Sequence, residues 1–233
     1  MGGDNYQGDI IIVIWICYLC FMLPNYLRIH KKYGAEKSIK YKLSLSLTFC
    51  LLGLFAAIQH RMMHVSVLIV HGLIVASLGD YFLLLKKVNK SNFIKGILCF
   101  SLTHILYLAG LFLLLGISWY EFLVTSVLFG VVLFLKKKKR ISISKMGKNK
   151  KYVMGYVLLV NLMVAKSSAL LLYCFENVLF SYMFFIGAVL FWISDLFIGI
   201  REFAVFKQKY QYIVSVFYFV GQLMIATSIF FLK

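Results

Sequence analysis

The sequence predicts an all-α fold, a polytopic membrane bundle of about eight transmembrane helices, and three observations carry that prediction. Of 233 residues, 62% are hydrophobic and only 14% charged, with a mean hydropathy of +0.90, far from the balance of a soluble domain. Apolar runs recur near the length of about 20 residues that crosses a hydrocarbon core of about 30 Å. One proline in the whole chain leaves those runs almost free of helix breakers.

In chain order the spans fall at 10–26, 43–58, 65–85, 93–115, 120–135, 152–174, 179–200 and 212–232, the fifth being short. The first follows a start that holds Asp4 and Asp9 and no lysine, unlike the basic opening of a signal peptide. The connections then alternate in charge. The first carries Arg28, Lys31, Lys32, Lys37, Lys40 and Lys42 against Glu36, and the second holds Arg61 with His60 and His64. Lys86, Lys87, Lys90 and Lys95 mark the third, and Glu121 alone the fourth. The fifth, 136–151, is the most basic; the sixth has Glu176, and the seventh Arg201, Lys207 and Lys209 against Glu202. By the excess of basic residues, odd loops lie in the cytoplasm and both termini on the outer or luminal side. A net charge of +17 distributed this way fits loops beside anionic lipid rather than nucleic acid.

The basic fifth loop is a natural midpoint. The chain therefore reads as a single integral membrane domain, 1–233, with half-repeats 1–118 and 119–233. An even number of crossings per half makes such repeats parallel. The third span of each half carries a lone aspartate: Asp80 after Ser77-Leu78-Gly79, and Asp195 after Trp192-Ile193-Ser194. A rise of about 1.5 Å per residue puts them roughly 22 Å and 24 Å from the outer edge, in the cytoplasmic half of the bilayer. Carboxyl groups at such depth are costly and by default mark function. The plainer reading is an aspartate paired with Lys42 or another interface cation purely for folding.

His104 lies near mid-membrane in the fourth span with Tyr107 at i+3 on its face, and Gln222 at similar depth in the eighth with Tyr218 at i−4. These side chains either bond between helices or line a cavity that holds the carboxyl groups. Lys166, in the outer half of the sixth span, reads as structural, with Asn161, Ser167 and Ser168 as its expected partners. His60 and His64 have a metal-type i, i+4 spacing, with His71 on the same stripe. However, the turn between spans two and three falls there, and no acidic ligand is near, so no metal is assigned. The five cysteines are scattered; Cys17 and Cys20, three apart within the first span, read as packing residues. Nucleophile elbows, phosphate loops and dinucleotide fingerprints are absent.

The run Ser77-Leu78-Gly79-Asp80-Tyr81-Phe82-Leu83-Leu84 resembles the first signature of the YhhN-type membrane proteins, which include the lysoplasmalogenases. The likeness continues through Gly96, Phe100, His104 and Tyr107, an F-x3-H-x2-Y pattern, and through Tyr156 and Met163. It returns in Phe191-Trp192-Ile193-Ser194-Asp195, then Phe203, and closes on Tyr218-Phe219-Val220-Gly221-Gln222-Leu223. Lys42 stands where the family has a Lys-Pro pair, with Leu43 in place of the proline.

The resemblance implies hydrolysis of the vinyl ether bond of a lysoplasmalogen, a lysophospholipid, to a fatty aldehyde and a glycerophospho-base. Such a bond breaks when its β-carbon is protonated and water captures the resulting oxocarbenium ion. One carboxylic acid and one carboxylate therefore suffice, without a cofactor, and Asp80 and Asp195 are the expected pair. His104, Tyr107, Gln222, Lys42, Ser194 and Tyr218 are the expected substrate contacts. Expected partners are the substrate and membrane lipids; the expected location is a bacterial inner membrane or a eukaryotic endomembrane. The alternative is a small transporter or lipid-handling protein that uses the aspartates as proton or cation sites.

Overall fold

In lipid every backbone polar group must be satisfied within its own segment, which leaves helices as the solution for a chain of apolar runs. The computed structural model of the chain describes residues 3–59, 63–85, 89, 91–137, 149–203 and 211–233, and among these every long element is helical. The order is α1 (Gly3–Ile16), a π-helical turn (Cys17–Met22), α2 (Leu23–Gln59), α3 (His64–Leu84) and α4 (Ser91–Leu114), then α5 (Trp119–Lys137), α6 (Lys150–Tyr173), α7 (Val178–Phe203) and α8 (Gln211–Ser228). Among the described residues seven helical stretches are long and apolar enough to span, and the apolar part of α5, Trp119–Phe134, is shorter. The bundle is thus a multi-pass membrane protein.

The first connection differs from the sequence expectation. Helix runs on both sides through the basic stretch, and the chain breaks at Gly34 alone, where φ is 81° and ψ −172°. Positive φ of this kind favours a residue without Cβ. Pairs on either side of Gly34 close a hairpin: His30 Nδ1 with Ser38 Oγ at 2.8 Å, Met22 Sδ with Thr48 Oγ1 at 3.7 Å, and Tyr18 OH with the Leu45 carbonyl at 3.4 Å. Tyr18, on the π-turn, is buried, whereas Cys17 and Cys20 face outward and do not pack the core. Lys95, expected in a loop, lies in α4 with its ammonium over the Phe82 ring. The expected loop residues His60, Arg61, Lys86, Lys87, Lys90, Lys207 and Lys209, and most of 136–151, lie outside the described residues.

Small residues set the closest crossings. A Cβ on Gly187 of α7 would stand 2.7 Å from the Gly221 carbonyl of α8, and one on Gly221 would stand 2.8 Å from the Gly187 carbonyl. The two backbones touch there, as small residues permit in membranes. In α3, a Cβ on Gly72 would run into the Tyr107 ring of α4. Both Gly72 and Gly187 lie eight residues before an aspartate, Asp80 and Asp195. These crossings fix the height of each carboxyl group against the neighbouring helix.

Candidate functional site

Asp80 sits almost wholly buried on α3 and is held from two other helices. Lys42 Nζ of α2 lies 2.7 Å from one carboxylate oxygen. Ser46, one turn further along α2, donates its hydroxyl to the other oxygen at 2.8 Å, and Tyr218 of α8 donates to that same oxygen at 2.8 Å. Lys42 and Ser46 can both reach because residues four apart share a helix face. The Lys42 pairing is the one the plainer folding role requires. The two hydroxyl donors go beyond it and complete the carboxylate's shell with charge-assisted bonds.

Asp195 is set differently. It is half-buried on α7, and among the described residues its partner is the Tyr156 hydroxyl of α6, which donates at 2.5 Å. Asp80 and Asp195 thus use separate partners and do not bond to each other as a direct carboxyl pair would. Neighbouring Ser194 turns to α8 and donates to the Val214 carbonyl at 3.0 Å, so its hydroxyl is engaged in helix packing.

Between the two aspartates runs a continuous aromatic layer. The Tyr218 ring, whose hydroxyl bonds Asp80, packs edge-on to Phe100 at 5.9 Å and to Phe191 at 5.3 Å between centroids. Phe191 meets His104 at 4.9 Å, and His104 meets Tyr156, whose hydroxyl bonds Asp195, at 5.5 Å. His104 Nδ1 lies 3.1 Å from Met163 Sδ, and Tyr107 donates to Gln222 Oε1 at 2.8 Å. His104, Tyr107 and Gln222 are all without solvent exposure. The structure therefore brings together Asp80, Lys42 and Tyr218 on one side, and His104, Tyr107 and Gln222 in the adjoining layer. It adds Ser46 and the hydroxyl role of Tyr156, which residue-by-residue reading of the sequence did not assign.

The bundle holds a second buried ion pair. Lys166 does not use Asn161, Ser167 or Ser168; its ammonium lies 2.8 Å from Glu121 and bonds the Gly116 carbonyl, with Phe112 beneath it. Glu121 is accordingly no loop residue but a buried member of the first turn of α5. Asn161 instead accepts from the Trp192 indole at 2.7 Å, and Ser167 and Ser168 bond back into their own helix. His64 opens α3, and His71 faces outward with its ring on the Val67 carbonyl.

Carboxyl groups with dedicated partners, bordering an aromatic layer, make this polytopic helical bundle one with a candidate polar site. The sequence model of the YhhN family matches residues 40–229, a range that contains every residue of this site. The chain belongs to the YhhN family. Comparison with curated proteins and with solved structures gave no match.

Proposed function

We propose that this protein is a hydrolase that cleaves the vinyl ether bond of lysoplasmalogens to a fatty aldehyde and a glycerophospho-base. The observation that carries the reading is the unequal setting of the two aspartates. Asp80 faces an ammonium and two hydroxyl donors, while Asp195 has the single described partner Tyr156. Unequal surroundings are what separate an acid from a base among carboxyl groups. Asp195 is the acid that protonates the vinyl β-carbon, and Asp80 supplies negative charge toward the oxocarbenium ion. Phe100, Phe191 and His104 form the apolar wall along which the alkenyl chain lies, as expected of a pocket with few polar groups. Family membership supports the reading, since the YhhN family includes lysoplasmalogenases.

The Lys42–Asp80 pair also suits a proton or cation site in a small transporter. Purified protein in detergent, given a lysoplasmalogen, decides between them. Aldehyde release without any gradient is the expected outcome, lowered by about 10²–10⁴-fold per folded molecule in Asp195→Asn. No release, with movement of the lipid across vesicles that carry the protein, overturns hydrolysis in favour of transport.

A further inference from the structure

Two polar atoms in the aromatic layer have no partner among the described residues although their own residues are fully buried: Nε2 of His104 and Nε2 of Gln222. Leaving a buried polar group unpaired costs about 1–3 kcal/mol, so two such atoms in one layer call for an explanation. Their chemistry is complementary. A thioether sulfur only accepts, so with Nδ1 directed at Met163 the ring hydrogen of His104 belongs on Nδ1. His104 Nε2 then presents a lone pair. Gln222 Oε1 already accepts from Tyr107, which leaves its amide nitrogen presenting two N–H donors.

The helices set these two residues at one level. Phe100 of α4 meets Tyr218 of α8, and Tyr107 of α4 meets Gln222 of α8. Both contacts step in the same direction along the two helices, so α4 and α8 run parallel here. His104 is one turn beyond Phe100, and Gln222 is one turn beyond Tyr218. A molecule that accepts one hydrogen bond and donates another would satisfy both atoms, and water is the smallest that does so.

We propose that His104 and Gln222 hold the water that attacks the oxocarbenium carbon, with His104 Nε2 receiving the proton that this water sheds. The proposal rests on the hydrolase reading and assigns its second reactant. Asp195 gives its proton to the vinyl β-carbon, and the oxygen of the held water bonds to the carbon that carries the ether oxygen. Water on an oxocarbenium carbon is strongly acidic, so a neutral imidazole takes its proton readily. His104 then gives that proton up to bulk solvent and Asp195 takes one up from it, which restores both groups. The hemiacetal then collapses: its hydroxyl proton passes to the leaving ether oxygen, the carbon–oxygen bond breaks, and aldehyde and alcohol separate.

Turnover of a lysoplasmalogen in D₂O by wild type, His104→Phe and Gln222→Met tests this. Impaired capture lets the oxocarbenium ion revert, which leaves deuterium on the β-carbon of the unreacted lipid. Both variants are expected to lose about 10²-fold in aldehyde release, the scale for a misplaced reactant, and to return deuterated substrate, whereas wild type returns unlabelled substrate. Slowed turnover without deuterium in the recovered lipid, or turnover within about twofold of wild type, overturns the assignment. Lack of aldehyde from wild type overturns the hydrolase reading and this assignment with it. If neither variant folds, a high-resolution structure of the wild type reads the same question. A solvent peak within about 3 Å of both Nε2 atoms supports the site, and a direct bond between them overturns it.

Discussion

Removing Lys42 separates the folding role of the Asp80 cluster from its chemistry. Lys42→Met takes the ammonium from a pair only 2.7 Å apart whose side chains are 13% and 2% exposed. Breaking a buried pair from one side costs about 3–5 kcal/mol, because the remaining charge stays buried. Ser46 and Tyr218 still donate to Asp80, and Lys42 keeps some exposure, so the lower end, about 3 kcal/mol, is expected. For a chain of this size that is a fall in Tm on the order of 10 °C. The double variant Lys42→Met/Asp80→Asn removes the stranded charge while an amide retains both hydroxyl partners. It is expected to recover most of the lost Tm, yet to stay at least about 10²-fold below wild type in aldehyde release per folded molecule. Thermal unfolding in detergent, with turnover normalised to folded protein, gives both numbers. An unchanged Tm in the single variant would refute the buried pair. Wild-type turnover in the double variant would refute a chemical role for the Asp80 charge and leave it a packing residue.

Tyr156→Phe deletes the described donor to Asp195 and is expected to lower turnover about 10–100-fold, the equivalent of about 1.5–3 kcal/mol for a bond to the carboxylate that forms as Asp195 gives up its proton; steady-state kinetics with a thermal melt checks it. Glu121→Gln is expected to cost about 3 kcal/mol by stranding Lys166 while turnover per folded molecule stays near wild type, and a large selective loss of turnover would refute a structural role. Gly187→Val forces a side chain against the Gly221 carbonyl and is expected to cost about 1–3 kcal/mol, read as a lower yield and Tm of folded protein. From loop charge both termini are expected to face away from the cytoplasm; a terminal tag that an outside protease reaches only after permeabilisation would refute this.

The aspartates were legible in the sequence because a charge in hydrocarbon is conspicuous against its neighbours. Asp80 and Asp195 each interrupt a run of apolar residues, and the basic connections between runs give the number of spans. Their partners were less legible because they are ordinary in composition. Ser46 looks like any small residue in an apolar helix, and nothing local to Tyr156 announces a bond across to α7. Such pairings depend on how helices rotate against one another, and close crossings such as Gly187 against Gly221 set that rotation. The first connection was misjudged for a different reason. Charge density marks where a chain meets water but not whether it is helical there. Lysine and arginine are good helix formers, so α2 continues through Lys31, Lys32, Lys37 and Lys40 and breaks at Gly34.

Glu121 and Lys166 show what a residue-by-residue count of charges misses. Read one at a time, a glutamate at a span edge and a lysine within a span look like a loop residue and a snorkelling cation. Together they neutralise each other, and each becomes cheap to bury through the other. The same logic ranks the carboxyl groups of the chain. Glu121 is matched by a buried cation and a backbone carbonyl bonded to that cation, with Phe112 closing the far side, which leaves little room for a reactant. Asp80 is matched too, but one of its donors, Tyr218, belongs to the aromatic layer, so the carboxylate is coupled to that wall. Asp195 has the sparsest described shell and borders the same layer through Tyr156. A carboxyl group whose partners exhaust its bonding capacity is a structural element, whereas one with capacity left over beside an apolar wall can still exchange a proton with a bound lipid. On that ground the hydrolase reading proposed above assigns its acid step to Asp195 and not to the more deeply buried Asp80 or Glu121.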